Sequence, residues 1–186
     1  MLLAAVLILG TSAPLAALTL RLGLTFGTRS INDALLTSTY NPGPVFVPAL
    51  ELAFRGGWFV GLAYEPGRTE TGALGVYDSP AEFSLSGLEL RAGYELRLKA
   101  VAFQAAAGGG PYAAKQTVDE DFARDHPVDK TGWAWSLGAG FKVYPWKFLF
   151  LSAGARYVML SVKPYDRRVD LGGWRLQGGL GLAFDL

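Results

Sequence analysis

Eight extended segments, each with a charge-free face and a face that carries its charges, predict an all-β fold: an eight-stranded antiparallel up-and-down transmembrane β-barrel. Three observations predict it. The first is a two-residue alternation, plainest in the C-terminal stretch. There Trp174, Leu176, Gly178, Leu180, Leu182, Phe184 and Leu186 fall on one side of an extended chain, and Gly173, Arg175, Gln177, Gly179, Gly181, Ala183 and Asp185 on the other. The second is the partition of charge, because the proposed outer faces together hold 42 positions and no charged residue. The third is that long polar connections alternate with short turns.

Composition agrees with this reading. At 186 residues the chain suits one domain. It is 51% hydrophobic, with a mean hydropathy of +0.24, yet has no long uninterrupted apolar run beyond its first residues. Alternation reconciles the two. Twenty-four glycines and 13% aromatic residues fit short strands, tight bends and rings at a membrane interface. A formal net charge of +1 gives no ground for a nucleic-acid partner, and the lack of cysteine removes a disulfide framework or a thiolate metal site. Residues 1–17 read as a secretory signal peptide. An apolar stretch from Leu2 to Leu9 is followed by Gly10, Thr11, Ser12 and Pro14, with a cleavage point near Ala16 or Ala17. No Lys or Arg precedes the apolar stretch, so the amino terminus would supply the positive charge. Residues 18–186 form the barrel domain.

The first strand spans Leu18 to Thr28, with Leu18, Leu20, Leu22, Leu24 and Phe26 outward. A polar loop from Arg29 to Gly43 follows. The second strand, Val45 to Arg55, turns at Gly56-Gly57 into a third, Trp58 to Glu65. Pro48, which has no N–H for a ladder, implies a bulge or weak pairing. A loop spanning Pro66 to about Glu82 leads to a fourth strand centred on Gly87 to Leu96. The apolar phase flips from even to odd numbers near Leu98-Lys99, which places a turn there before a fifth strand, Val101 to Gly108. The longest and most charged loop runs from Pro111 to Thr131. The sixth strand, Trp133 to Val143, turns at Tyr144-Pro145-Trp146-Lys147 into a seventh, Leu149 to Met159, and a loop from Ser161 to Gly172 precedes the closing strand.

The inner face holds Arg21, Glu51, Arg55, Glu65, Glu89, Arg91, Glu95, Lys142, Arg156, Arg175 and Asp185. A soluble lipocalin-like barrel, the alternative, would bury the apolar face and solvate the charges. Eight strands enclose too narrow an interior for 42 apolar or small outer-face positions, whereas lipid accepts them and closure satisfies every backbone amide. The inner charges, six basic and five acidic, are expected to pair, because an unpaired buried charge costs several kcal/mol. Since outer-membrane barrels place short turns in the periplasm, both termini are expected there, with the loops at the cell surface. Trp58 and Trp146 would mark the periplasmic interface. Phe26, Tyr64, Trp133, Trp135 and Trp174 would mark the outer one.

The ending Leu180-x-Leu182-x-Phe184-x-Leu186 resembles the C-terminal assembly signal of bacterial outer-membrane proteins, with Leu186 where that signal usually has Phe. Residues 18–186 resemble the small eight-stranded barrels of the OmpA, OmpX and opacity-protein superfamily. The resemblance implies recognition by the barrel assembly machinery, residence in the bacterial outer membrane among lipid and lipopolysaccharide, and no cofactor. Some members carry a further peptidoglycan-binding domain, and no such tether is expected here.

The expected function is non-enzymatic: membrane integrity, and display of surface loops for adhesion or contact by a monomer. A narrow ion or small-solute pore lined by the inner charges is the second reading, and eight strands leave it little lumen. A lipid A acyl-modifying enzyme is the third. Asp78-Ser79 resembles the Asp-Ser pair of the outer-membrane palmitoyltransferases, and His126 is the one histidine available as a base. That family places its His in the first loop, however, and the lipid A deacylases place a Ser where Val128 stands. Asp119, Glu120 and Asp121, with Asp125 and Asp129, read as a solvated charge run rather than a metal site. Lys163, Arg167 and Arg168 are candidate contacts for lipopolysaccharide phosphates.

Overall fold

The computed structural model describes residues 18–40, 43–74, 79–119, 128–164 and 168–186. The predicted signal peptide lies outside them. The elements in chain order are β1 (Thr19–Arg29), α1 (Ala34–Thr39), β2 (Val45–Ala53), β3 (Trp58–Leu74), β4 (Ser79–Leu98), β5 (Val101–Val118), β6 (Val128–Trp146), β7 (Leu149–Met159), β8 (Ser161–Val162), β9 (Val169–Asp170) and β10 (Gly173–Asp185). Eight of them close into a barrel in the order β1-β10-β7-β6-β5-β4-β3-β2, while β8 and β9 make a separate two-stranded ribbon. The seam between first and last strands pairs without a register shift from Thr19↔Asp185 to Arg29↔Arg175, which leaves no open edge.

The faces fall as the alternation predicts. Leu90 and Trp58 are 63% and 64% exposed on the outside, whereas Glu89 and Arg175 are 2% and 3% exposed within. Aromatic pairs ring the outer surface at two levels. Trp58 packs on Tyr94 and Trp146 on Phe148 near the turns, and Phe26 on Phe46 and Tyr157 on Trp174 nearer the loops.

Four strands run far beyond the expected limits. β3, β4, β5 and β6 contain 17, 20, 18 and 19 residues, against the roughly 9–11 that cross a bilayer. Most of the predicted loops Pro66–Glu82 and Pro111–Thr131 is therefore paired strand. The physical reason is visible in β4. Above Gly87 the inner positions become apolar (Ala81, Phe83, Leu85) and the outer ones polar (Glu82, Ser84, Ser86), the reverse of the arrangement below it. These extensions enclose a second core of Tyr40, Phe83, Leu85, Tyr112, Leu160 and Leu171 with their neighbours, closed over by α1 and the β8-β9 ribbon.

Local chemistry explains the joints. Asp33 caps α1, its Oδ1 accepting from the amides of Leu35 at 3.1 Å and Leu36 at 3.2 Å, and this turns Leu36 into the core. The β2–β3 ladder begins at Ala49, so Pro48 pairs only with β1 and its missing N–H costs no bond to β3. Gly57 adopts φ +89°, and a side chain there would meet the Tyr94 ring. The fifth strand starts after a turn at Lys99-Ala100, and the sixth turns at Lys147-Phe148 after an irregularity between Val143 and Trp146, one to two residues later than predicted.

Candidate functional site

The lumen is the place where the fold concentrates its chemistry. Because strands alternate, inner charges on one regular strand keep the same parity, and closure brings charges from non-adjacent strands face to face. They meet at three levels.

Nearest the turns, both terminal guanidinium nitrogens of Arg21 on β1 donate to Glu95 on β4 at 2.8 Å, and Arg21 lies 3.8 Å from Glu51 on β2. Lys142 on β6 joins Glu51 and lies 3.6 Å from Glu95. Its ammonium also sits 5.4 and 5.2 Å from the ring centres of Phe59 and Phe150. At mid-barrel Glu89 takes Arg91 at 3.3 Å, Arg156, and the hydroxyl of Ser136. Nearest the loops, Arg29 bridges Glu65 at 3.0 Å and Glu70 at 2.6 Å, and Arg175 pairs with Glu65. The Tyr112 hydroxyl lies between the two upper levels, 3.5 Å from both Glu65 and Glu89.

Breaking any of these pairs leaves a buried charge, so the network dictates which strands face one another more than it adds net stability. Between the lower and middle levels lies a cavity of about 70 Å³. Above the upper level the apolar core fills the barrel.

Two residues assigned to the lumen lie elsewhere. β2 ends at Ala53, so Arg55 enters the turn and is exposed. Asp185 is the last residue of β10 and is exposed at the rim, where it accepts from Thr19 Oγ1 at 2.8 Å. Two members escape the sequence reading. Arg29 continues the odd-numbered inner face of β1 by one step beyond the predicted end. Glu70 reaches the inside because the register shifts between Glu65 and Arg68, changing the inner face from odd to even numbers. The phase of Arg29 with Arg21 is readable in the sequence; the bulge leaves no signal in the residue pattern.

Leu180, Leu182, Phe184 and Leu186 are exposed on the outer face. Lys163 and Arg168 are exposed beside the ribbon; Arg167 lies outside the described residues. So do Asp78, His126, Glu120, Asp121 and Asp125, while Ser79 begins β4 in a buried position. Asp129 pairs with Lys115 at 3.2 Å on the exposed surface, and the Asp119 amide donates to Pro80. Among the described residues no three His, Cys, Asp or Glu side chains group to hold a metal. In the loop-end core burial pushes the Tyr40 phenol above its ordinary pKa, opposed by the hydrogen bond from Gln116 at 2.9 Å.

The fold has counterparts. Neisserial surface protein A superposes with a TM-score of 0.60 at 14% identity, over 90% of this chain and 97% of its own. A major outer membrane protein from Thermus thermophilus gives 0.58 at 12% identity, over 90% and 100%. Ail, the attachment invasion locus protein of Yersinia pestis, in complex with the heparin analogue sucrose octasulfate, gives 0.53 at 17% identity, over 90% and 98%. These likenesses are of fold alone. No curated protein matches the sequence. The outer membrane protein beta-barrel domain matches residues 1–184. The chain therefore belongs to the outer membrane protein beta-barrel domain family, and the belt that no charge interrupts is the surface it turns to the lipid of the bacterial outer membrane.

Proposed function

We propose that the protein is a non-enzymatic outer-membrane barrel that supports membrane integrity and presents its loop end at the cell surface for contact, such as adhesion, with both termini in the periplasm. One observation carries this reading: the loop end is a built extension, with its own apolar core inside and polar side chains such as Glu82, Lys115 and Lys130 outside. A wall that continues past the lipid belt with a water-facing exterior is suited to touching something beyond the membrane. Ail's complex with a heparin analogue lends the class of role some support. Lys163, Arg167 and Arg168 are then candidate contacts for lipopolysaccharide phosphates, and Leu180, Leu182, Phe184 and Leu186 the strand offered to the assembly machinery. The barrel acts as a monomer.

The chain has no cysteine, so single cysteines report topology directly. In intact cells a membrane-impermeant maleimide is expected to label Thr117→Cys and to spare Lys99→Cys; the opposite pattern reverses the orientation. Cells producing the protein are expected to bind a host or abiotic surface more than cells lacking it, and equal binding removes the adhesion reading. The pore reading is opposed by the filled lumen, and planar bilayers are expected to stay silent. His126→Ala is expected to leave lipid A species unchanged.

A further inference from the structure

The three levels of lumen charge do not balance alike. Arg21 and Lys142 face Glu51 and Glu95 at the turn end; Arg29 and Arg175 face Glu65 and Glu70 at the loop end. At mid-barrel Arg91 and Arg156 share Glu89 alone. With every carboxylate ionised, one unmatched positive charge is confined to that level.

The cavity of about 70 Å³ borders it. Its wall carries four cationic side chains, Arg21, Arg91, Lys142 and Arg156, and one carboxylate, Glu51. Arg156 is 6% exposed, yet its Nε and Nη2 have no hydrogen-bond partner among the described residues, and the same holds for Arg91 Nε. A guanidinium offers five donors, and these two groups stand beside a space lined otherwise by Thr25, Gln104, Gln177, the rings of Phe59 and Phe150, and small residues. Such donors in a low-dielectric interior attract an anion far more strongly than in water.

We infer that this cavity binds a small monovalent inorganic anion, of which chloride is the type. The charge sets the valence, because one negative charge neutralises the mid-barrel excess and a dianion overshoots it. The volume sets the size. Roughly 15 Å³ holds one water-sized occupant, so the space admits a halide with waters beside it. A metal cation is repelled by the four positive side chains. The bound anion completes the network that holds β4 to β7 across the lumen through Glu89 and Arg156.

Bromide, an anomalous scatterer, is the probe. Crystals of the folded barrel grown with bromide are expected to show a peak in the cavity beside Arg91 and Arg156, and a cavity with no bromide peak overturns the proposal. In micelles, the unfolding temperature in gluconate is expected to lie about 5 °C below that in bromide at equal ionic strength. Gln104→Glu places a carboxylate in the same wall, at a side chain whose Oε1 lacks a partner, and is expected to abolish the bromide effect. Arg91→Met removes the excess cation and is expected to do the same, which keeps the solution test alive if the first variant does not fold. A bromide effect that persists undiminished in a folded variant of either kind overturns the site, since it then arises elsewhere.

Discussion

The two halves of the barrel obey opposite rules, and β4 contains both. From Leu88 to Leu96 its outward side chains are apolar and its inward ones include Glu89, Arg91 and Glu95; from Pro80 to Ser86 the outward ones are mostly polar and the inward ones are Ala81, Phe83 and Leu85. β4 itself runs unbroken through the change and keeps its odd-numbered side chains inward, although the β3–β4 ladder shifts register there, so the medium outside the wall explains it. Where lipid wets the exterior, packing apolar side chains together releases no water, and the interior is left to charges that must pair. Where water wets it, the interior becomes an ordinary hydrophobic core. Gly87 stands at the change of rule. A Cβ there would strike the ring of its cross-strand neighbour Tyr112, whose hydroxyl reaches the charged half while its ring belongs to the apolar one.

The largest effect is expected from breaking a pair in the charged half. Glu65 is 1% exposed and takes both Arg29 and Arg175, so Glu65→Gln leaves two buried guanidinium groups short of a carboxylate. A loss of about 3–5 kcal/mol is expected, read as a fall in the guanidinium midpoint of the barrel in micelles. A loss under about 1 kcal/mol would mean that water reaches this level and that the half is not dry. Phe83→Ala makes the matching cut in the apolar half, where Phe83 packs on Tyr40 with ring centres 5.5 Å apart. It is expected to cost the loop end about 3–4 kcal/mol. Protease should then clip the strand extensions while the gel mobility of the lipid-embedded barrel stays that of the folded form. If that mobility is lost as well, the halves fold as one cooperative unit.

The inversion also decides what is readable in the residues. In the lipid-facing half every strand is legible, and β7 to the residue, because apolar-out alternation persists over a full crossing. In the loop half the strands read as loops. A reader following the apolar phase of β4 on even numbers meets Leu85, Phe83 and Ala81 on odd ones, and the pattern looks broken although the strand continues. Phase alone places most of the lumen charges correctly. It does not supply their partners, since strand spacing in sequence says nothing of which side chains meet across a closed lumen. The bulge after Glu65 hides Glu70 for a related reason: one irregular step reverses the parity of everything beyond it.

Where the lipid ends is testable on one strand. Leu90→Arg puts a charge on the outer face in the middle of the belt and is expected to cost about 2–4 kcal/mol. Ser84→Arg makes the same gain of charge on the same face of the same strand, six residues toward the loops, and is expected to stay within about 0.5 kcal/mol of the parent. Unfolding of both in the same lipid vesicles gives the comparison. Equal costs would place Ser84 in lipid too, and the rule for the loop half would fail.

The smallest effect probes whether the loop half has a stability of its own. Asp33→Ala removes the two hydrogen bonds that start α1 and loosens Leu36, the one buried residue of that helix, from the core it helps to roof. About 1 kcal/mol is expected, the usual worth of such a cap. Because α1 touches β3 and no lumen charge of the lower two levels, faster amide hydrogen exchange should appear in the Tyr40, Phe83 and Leu85 region and leave the amides around Glu89 and Glu95 at parent rates. Exchange that quickens equally at both places would mean that the roof and the charged lumen open together, and that a single cooperative structure spans the change of medium.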